Sequence, residues 1–210
     1  MRNLVLAVVT LFSINAFSQS ESQEIKNLKY RLSTPVITLS NIGKGGERIN
    51  TQHVELHFKY ELDKKNIVGV KFATWRLFQP MGILWWDGLL DKIDSQSEFY
   101  PGYLRETGLG ISYQRMLWKG LFATVEVLPQ LKTYLNEDNS FVGNGFKLYT
   151  SYHIGYHFAF GKNKRFFFEP QIHCQNWLID TNTPEQFKVL DNKWRNYFMF
   201  EPNLYFGVKF

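Results

Sequence analysis

The sequence predicts an all-β fold, a transmembrane antiparallel up-and-down β-barrel of eight strands with a filled polar lumen. Three observations predict it. First, residues 195–210, RNYFMFEPNLYFGVKF, alternate along one long ribbon. Phe198, Phe200, Pro202, Leu204, Phe206, Val208 and Phe210 fall on one face, and Arg195, Tyr197, Met199, Glu201, Asn203, Tyr205, Gly207 and Lys209 on the other. A strand points successive side chains to opposite faces, so one side is apolar and the other polar. Second, aromatic residues make up 17% of the chain, with 19 phenylalanines. Yet no segment beyond the amino terminus reaches the ~18 apolar residues of a membrane helix. Such a load, spread over alternate positions, suits a closed wall whose backbone groups all pair between strands. Third, the connections between alternating segments switch between short and long.

The front of the chain reads as a signal peptide over residues 1–18. Arg2 gives a basic start, Leu4 to Phe12 an apolar core, and Ala16-Phe17-Ser18 a small-x-small cleavage site. The apolar core is too short for a membrane anchor. Residues 19–210 then form one barrel domain.

The least regular strand lies in Tyr30 to Ile42, ahead of Gly43-Lys44-Gly45-Gly46. Val54 to Leu62 alternates without a fault and turns at Asp63-Lys64-Lys65-Asn66. Ile67 to Leu77 follows, with Val68, Val70 and Phe72 outward. Arg105 to Leu117 carries Leu109, Ile111 and Tyr113 outside and Glu106, Ser112 and Gln114 inside. After the Trp118-Lys119-Gly120 turn, Leu121 to Leu135 places Glu126, Gln130 and Lys132 inside. Phe146 to Phe160 turns Lys147, Tyr149, Ser151, His153 and His157 inward. Phe166 to Ile179 does the same with Glu169, Gln171, His173 and Gln175, and the terminal ribbon closes the chain.

Residues 63–66, 118–120 and 161–165 are the short connections, and 43–52, 78–104, 136–145 and 180–193 the longer ones. Short periplasmic turns and longer external loops are the pattern of outer-membrane barrels. Both termini fall on the short-turn side, beside a girdle of Tyr60, Trp118, Phe158, Phe160, Phe166, Phe168, Phe206 and Phe210. Pro35, Pro129, Pro170 and Pro202 interrupt the expected strands. Each removes a ladder donor, and a local bulge is the expected accommodation.

The net charge of +5 is dispersed, which argues against nucleic-acid binding. Cys174 is the sole cysteine and faces outward as a small hydrophobe.

The signal peptide, alternating strands, asymmetric loops and terminal Tyr205-Phe206-Gly207-Val208-Lys209-Phe210 resemble the small outer-membrane β-barrel families of Gram-negative bacteria. The architecture resembled is the OmpA/OmpX-like eight-stranded type. The resemblance implies residence in the cell outer membrane, contact with its lipid, and export through the signal peptide. It also implies that the barrel-assembly machinery reads a terminal signal at Tyr205, Phe206, Val208 and Phe210. The His-x-Ser-Asn motif of lipid A deacylase barrels is absent at His153-Ile154-Gly155-Tyr156 and at His157-Phe158-Ala159-Phe160.

No catalytic set, cofactor site or metal site emerges. His153 and His157 are four apart, which on a strand separates them by ~13 Å. Glu126, Lys132, Glu169, Glu201, His153 and His157 are expected in a lumen charge network, because eight strands enclose a space that side chains fill. Glu126, Glu169 and Glu201 are expected to pair there with Lys or Arg. In the longest loop, Trp85, Trp86, Leu89 and Leu90 are the candidate contacts for an external ligand or protein. Two function classes stay open. One is a non-enzymatic envelope component or external binding surface. The other is an outer-membrane enzyme acting on lipid or glycan through residues at the outer barrel rim.

Overall fold

The computed structural model describes residues 28–40, 50–83 and 98–210; residues 1–18, expected as a signal peptide, and Trp85, Trp86, Leu89 and Leu90 lie outside the described residues. The strands are β1 (Tyr30–Pro35), β2 (Val54–Glu61), β3 (Asn66–Leu77), β4 (Gly102–Trp118), β5 (Leu121–Asn136), β6 (Phe141–Tyr156), β7 (Phe158–Phe160), β8 (Phe166–Thr181) and β9 (Tyr197–Lys209). Among the described residues two α-helices lie between strands, α1 (Val36–Ser40) and α2 (Glu185–Asp191). Every neighbouring pair is antiparallel, β9 pairs with β1, and β6 and β7 both pair with β8. β6 and β7 are therefore two parts of one wall strand, and the sheet closes as a ring of eight. No helix among the described residues is long and apolar enough to cross a membrane, which is no constraint on a barrel that crosses with strands.

The alternation sorts the side chains as the residues dictate. Leu56, Phe58, Val70, Ile111, Val125, Leu131 and Ile154 are exposed on the outside, while Glu55, His57, Lys59, Lys71, Glu106, Glu126, Lys132 and Lys147 are buried inside. At the end holding the termini, aromatic rings interlock: Tyr30 stacks on Phe58 and Phe210, and Phe158 stacks on Phe168 with centroids 4.8 Å apart.

Four expectations are corrected. The first strand stops at Pro35 and gives way to α1, so β1 has six residues. The expected loop 136–145 is mostly strand: Asn136 donates its N–H to Ser140 O, Asn139 takes a left-handed φ of 65°, and β6 begins at Phe141. The loop 180–193 contains α2. In the terminal ribbon the facing changes partway. Phe200 has a φ of 59°, and the pairing with β8 shifts between His173↔Glu201 and Gln175↔Phe198. This extra residue turns Phe198 inward, where it is buried, while Met199 and Phe200 are exposed.

Pro129, Pro170 and Pro202 face lapses of the ladder instead of bulges. On the β4 side of β5, pairing skips from Gly108↔Gln130 to Ile111↔Val127 without a change of register, so Pro129 faces the lapse. Gly155↔Gln171 and Phe158↔Phe168 share one register, so the break between β6 and β7 lies opposite Glu169 and Pro170. Pro202 lies on β9 beyond Pro35↔Tyr205, the last pair with β1. In each case the missing donor falls where no ladder bond is made.

Candidate functional site

The lumen is filled by three tiers of charged groups, supplied by inward positions of all parts of the ring. Nearest the termini, the Glu169 carboxylate lies 3.4 Å from Arg31 Nη1, 3.5 Å from Lys59 Nζ and 2.8 Å from His157 Nδ1, and Gln114 Nε2 donates to it at 3.4 Å. Arg31 also pairs with Glu61, which Lys209 meets at 3.3 Å. In the middle tier, Lys71 Nζ bridges Glu126 Oε1 at 2.6 Å and Glu55 Oε1 at 3.3 Å. Tyr205 Oη donates to Glu55 Oε1 at 2.5 Å, and His57 Nε2 meets the same oxygen at 2.6 Å. In the upper tier, Glu106 Oε2 accepts from Trp75 Nε1 at 2.7 Å and from Tyr149 Oη at 2.6 Å. Lys147 lies 3.1 Å from Glu106 and 3.2 Å from Asp180, and Lys132 pairs with Asp180 and donates to Thr183 Oγ1 at 2.9 Å. Charges withdrawn from water are tolerated only with partners this close.

Above the tiers, α2 covers the mouth. Phe187 is fully buried between Tyr100 and Tyr134, with ring centroids 5.1 and 4.8 Å away. Tyr100 Oη donates to Asp191. Burial raises the Asp191 carboxyl above the usual range for aspartate, and burial beside that carboxylate pushes the Tyr100 hydroxyl well up.

Within the ring lies a cavity of about 300 Å3 lined by His53, Glu55, Trp75, His153, His173 and Glu201, with an apolar rim including Ile37, Phe78, Met81, Phe198 and Met199. His173 Nε2 lies 3.0 Å from Glu201 Oε2, and the His153 ring rests beside that of His173 with centroids 5.1 Å apart. Both ring nitrogens of buried His153 and the Nδ1 of His173 make no hydrogen bond among the described residues.

The structure thus divides the expected lumen set. Glu126, Lys132 and Glu169 belong to ion-paired tiers. His157 sits with Glu169 near the termini, whereas His153 sits with His173 at the cavity. Glu201 departs from expectation: its partner is His173 in place of a Lys or Arg, and its side chain is 45% exposed. Among the described residues no group of three His, Cys, Asp or Glu is arranged to hold a metal ion. Of the terminal residues, Phe206 and Phe210 are exposed outside and Tyr205 is buried inside.

Sequence reasoning missed the Glu55–Tyr205 bond and the cavity. Parity alone signals that both residues face in. Their contact arises only because the ring closes β9 onto β1 beside β2, across nearly the whole chain.

No protein-family model matches the chain, and no curated protein does. Two solved structures are similar to it. The Yersinia pestis outer membrane protein Ail, in a phospholipid bilayer nanodisc, is 11% identical, covers 87% of this chain and 99% of its own, and has a TM-score of 0.43. Neisserial surface protein A (NspA) is 11% identical, covers 87% of this chain and 95% of its own, and has a TM-score of 0.41. The eight-strand ring stands on the pairing within this chain.

Proposed function

We propose that the chain is an integral outer-membrane β-barrel protein that works without catalysis, as an envelope component with a binding surface on its outer side. The observation that supports this reading is the sorting of the wall: an apolar exterior round the ring, an ion-paired interior, and an aromatic girdle at the termini end. A filled interior suits a scaffold better than a conduit. Outer-membrane lipid, the barrel-assembly machinery acting on Tyr205, Phe206, Val208 and Phe210, and an external ligand or protein are its proposed partners.

Fractionation and gel migration test the reading together. The mature protein should band with outer membranes, run faster before boiling than after, and show no stepwise conductance in planar bilayers. Recovery as a detergent-free periplasmic monomer would overturn it. Recognition is assigned to the loop carrying Trp85, Trp86, Leu89 and Leu90. Replacing residues 82–95 with a short Gly/Ser linker should leave the boiling-dependent shift intact and abolish binding or phenotype.

The alternative, an outer-membrane enzyme acting on lipid or glycan at the outer rim, draws on one observation. A carboxylate holding one nitrogen of His173 while its other nitrogen has no partner is an arrangement suited to a general base. Turnover of envelope lipid or glycan that His173→Gln abolishes would establish it in place of the first.

A further inference from the structure

On the outer wall, at the end holding the termini, one position breaks the apolar pattern. Outward residues of β3 and β4 pair in register down the wall: Val70↔Ile111, Val68↔Tyr113, then Asn66↔Arg115. Arg115 is exposed, and among the described residues it is the only charged side chain on the outer face of the strands at this end. A lipid-facing arginine is costly at mid-membrane and nearly free at the interface, where lipid phosphates lie. Its place is fixed. Asn66 Oδ1 accepts from Arg115 Nη1 and from Tyr113 Oη, each at 2.5 Å. The Asp63 carboxylate in turn accepts from Lys65 N at 2.7 Å, Asn66 N at 2.9 Å and Asn66 Nδ2 at 2.6 Å. Asp63 is thus engaged within its own turn, and among the described residues Arg115 has no carboxylate partner. The other N–H donors of the guanidinium are disposed for an anion, phosphate above all.

From Arg115 towards mid-membrane the wall carries a groove of about 560 Å3. Short Val68 and Val70 form its floor, Val125 continues it beyond β4, and Phe58, Tyr60 and Tyr113 stand up around it. The aromatic side is braced, because Tyr30 stacks on Phe58 and Phe210 and lies against Tyr60 with centroids 5.2 Å apart. Ile111 and Arg115 are four positions apart, ~13 Å of strand. The volume falls inside the range of ligand sites, ~300–1,000 Å3. An apolar groove with a cation at its interfacial end has the charge order of a phospholipid, chain then phosphate.

Charge also selects among phospholipids. Lys64 and Lys65 are exposed in the adjoining turn, Met116 donates its N–H to Lys65 O at 2.8 Å, and Lys119 is exposed in the next turn. Against these lysines and Arg115 the two turns set one acidic residue, Asp63. A head with its own ammonium group meets repulsion there, and an anionic head does not.

We propose that Arg115 and this groove bind one anionic phospholipid of the periplasmic leaflet, with its phosphate on the guanidinium and one acyl chain along Val68 and Val70. The site rests on the outer-membrane reading, which puts the short turns on the periplasmic side.

Native mass spectrometry of the folded protein in detergent, titrated separately with dioleoylphosphatidylglycerol and dioleoylphosphatidylcholine, tests this. Phosphatidylglycerol adducts should exceed phosphatidylcholine adducts about fivefold, the scale of one basic residue at an anionic lipid surface. Arg115→Gln should remove that preference. Val70→Trp, which fills the groove and keeps the arginine, should lose phosphatidylglycerol adduct about fivefold. Lys162→Gln, which removes an exposed charge from another turn at the same end, should bind as the parent does. Equal adducts of the two lipids in the parent, or an unchanged preference in Arg115→Gln, would overturn the site. Loss in Arg115→Gln with none in Val70→Trp would overturn the seated chain. Equal loss in Lys162→Gln would replace the site with diffuse attraction. Displacement of the lipid by an equal concentration of glycerophosphoglycerol would assign Arg115 to a free phosphate ester, and lipid-free dimers broken by Val70→Trp would assign the groove to a second copy; either overturns the proposal. A boiling-dependent shift with no adduct defeats this proposal alone, whereas failure to fold in detergent or vesicles defeats the outer-membrane reading as well.

Discussion

Two glutamates that look alike in the sequence, each followed by proline, differ sharply in surroundings. Glu169 is 1% exposed and stands between Arg31, Lys59 and His157; Glu201 is 45% exposed and, among the described residues, pairs with His173. Breaking a buried pair by removing one partner costs ~3–5 kcal/mol, because the cations left behind stay buried without compensation. Glu169→Gln should therefore lower the urea midpoint of the detergent-folded protein strongly. Glu201→Gln should cost below ~1 kcal/mol, the scale of exposed pairs. Equal effects of the two changes would contradict the tiered interior. Which carboxylates face the lumen was legible from alternation alone. Which cation each one meets was not, because partners such as Glu55 and Tyr205 are distant in sequence and meet only through ring closure. Phe198 shows a second limit. Its inward turn depends on the left-handed backbone at Phe200, a residue type that gives no sign of it.

At the scale of elements, long alternating strands were readable and their ends were not. β4, β5 and β6 run 17, 16 and 16 residues, beyond where apolar alternation ceases to require it. There Tyr134, Leu104 and Tyr100 pack on α2, an element whose seven residues, Glu185–Asp191, carry little periodic signal of their own. Phe187 anchors that helix. Phe187→Ala should cost ~3–5 kcal/mol locally. Hydrogen exchange should rise across residues 185–191 while the boiling-dependent shift stays unchanged. Asp191 gives the same helix a pH dependence. Its carboxyl titrates above the ordinary range because burial disfavours its charge. The folded form therefore holds its proton more tightly than the unfolded one. The penalty is absent below ~4, the unperturbed value for aspartate, and grows to its full size as pH rises through the raised folded value. Asp191→Asn, which can still accept from Tyr100, should slow exchange in α2 at pH 8 and converge with the parent near pH 3. A difference that widens on acidification would reverse the assignment. The prolines belong to this scale too. Their positions in the sequence announced interrupted ladders, but only the pairing shows that Pro129, Pro170 and Pro202 face lapses without a bulge at each proline.

Taken whole, the molecule is a lopsided cylinder. The β4–β6 and β8 side stands about 40 Å tall at usual rise and tilt, and the β1 side about 15 Å. That inequality bears on the order of assembly. Strand pairs from β2 through β8 join near neighbours in the chain, whereas the seam from Tyr30↔Phe210 to Pro35↔Tyr205 joins its two ends through six residue pairs. Contacts between distant segments form late, since the chain entropy of bringing them together is spent before they give anything back. The seam between first and last strands is thus the final zipper to close and the first to part. Leu32→Pro, which deletes one donor from β1, should leave the early growth of sheet signal in circular dichroism nearly unchanged. It should delay the appearance of the fast-migrating compact band several-fold. A matched delay in both signals would mean that the short strand nucleates the barrel instead of completing it.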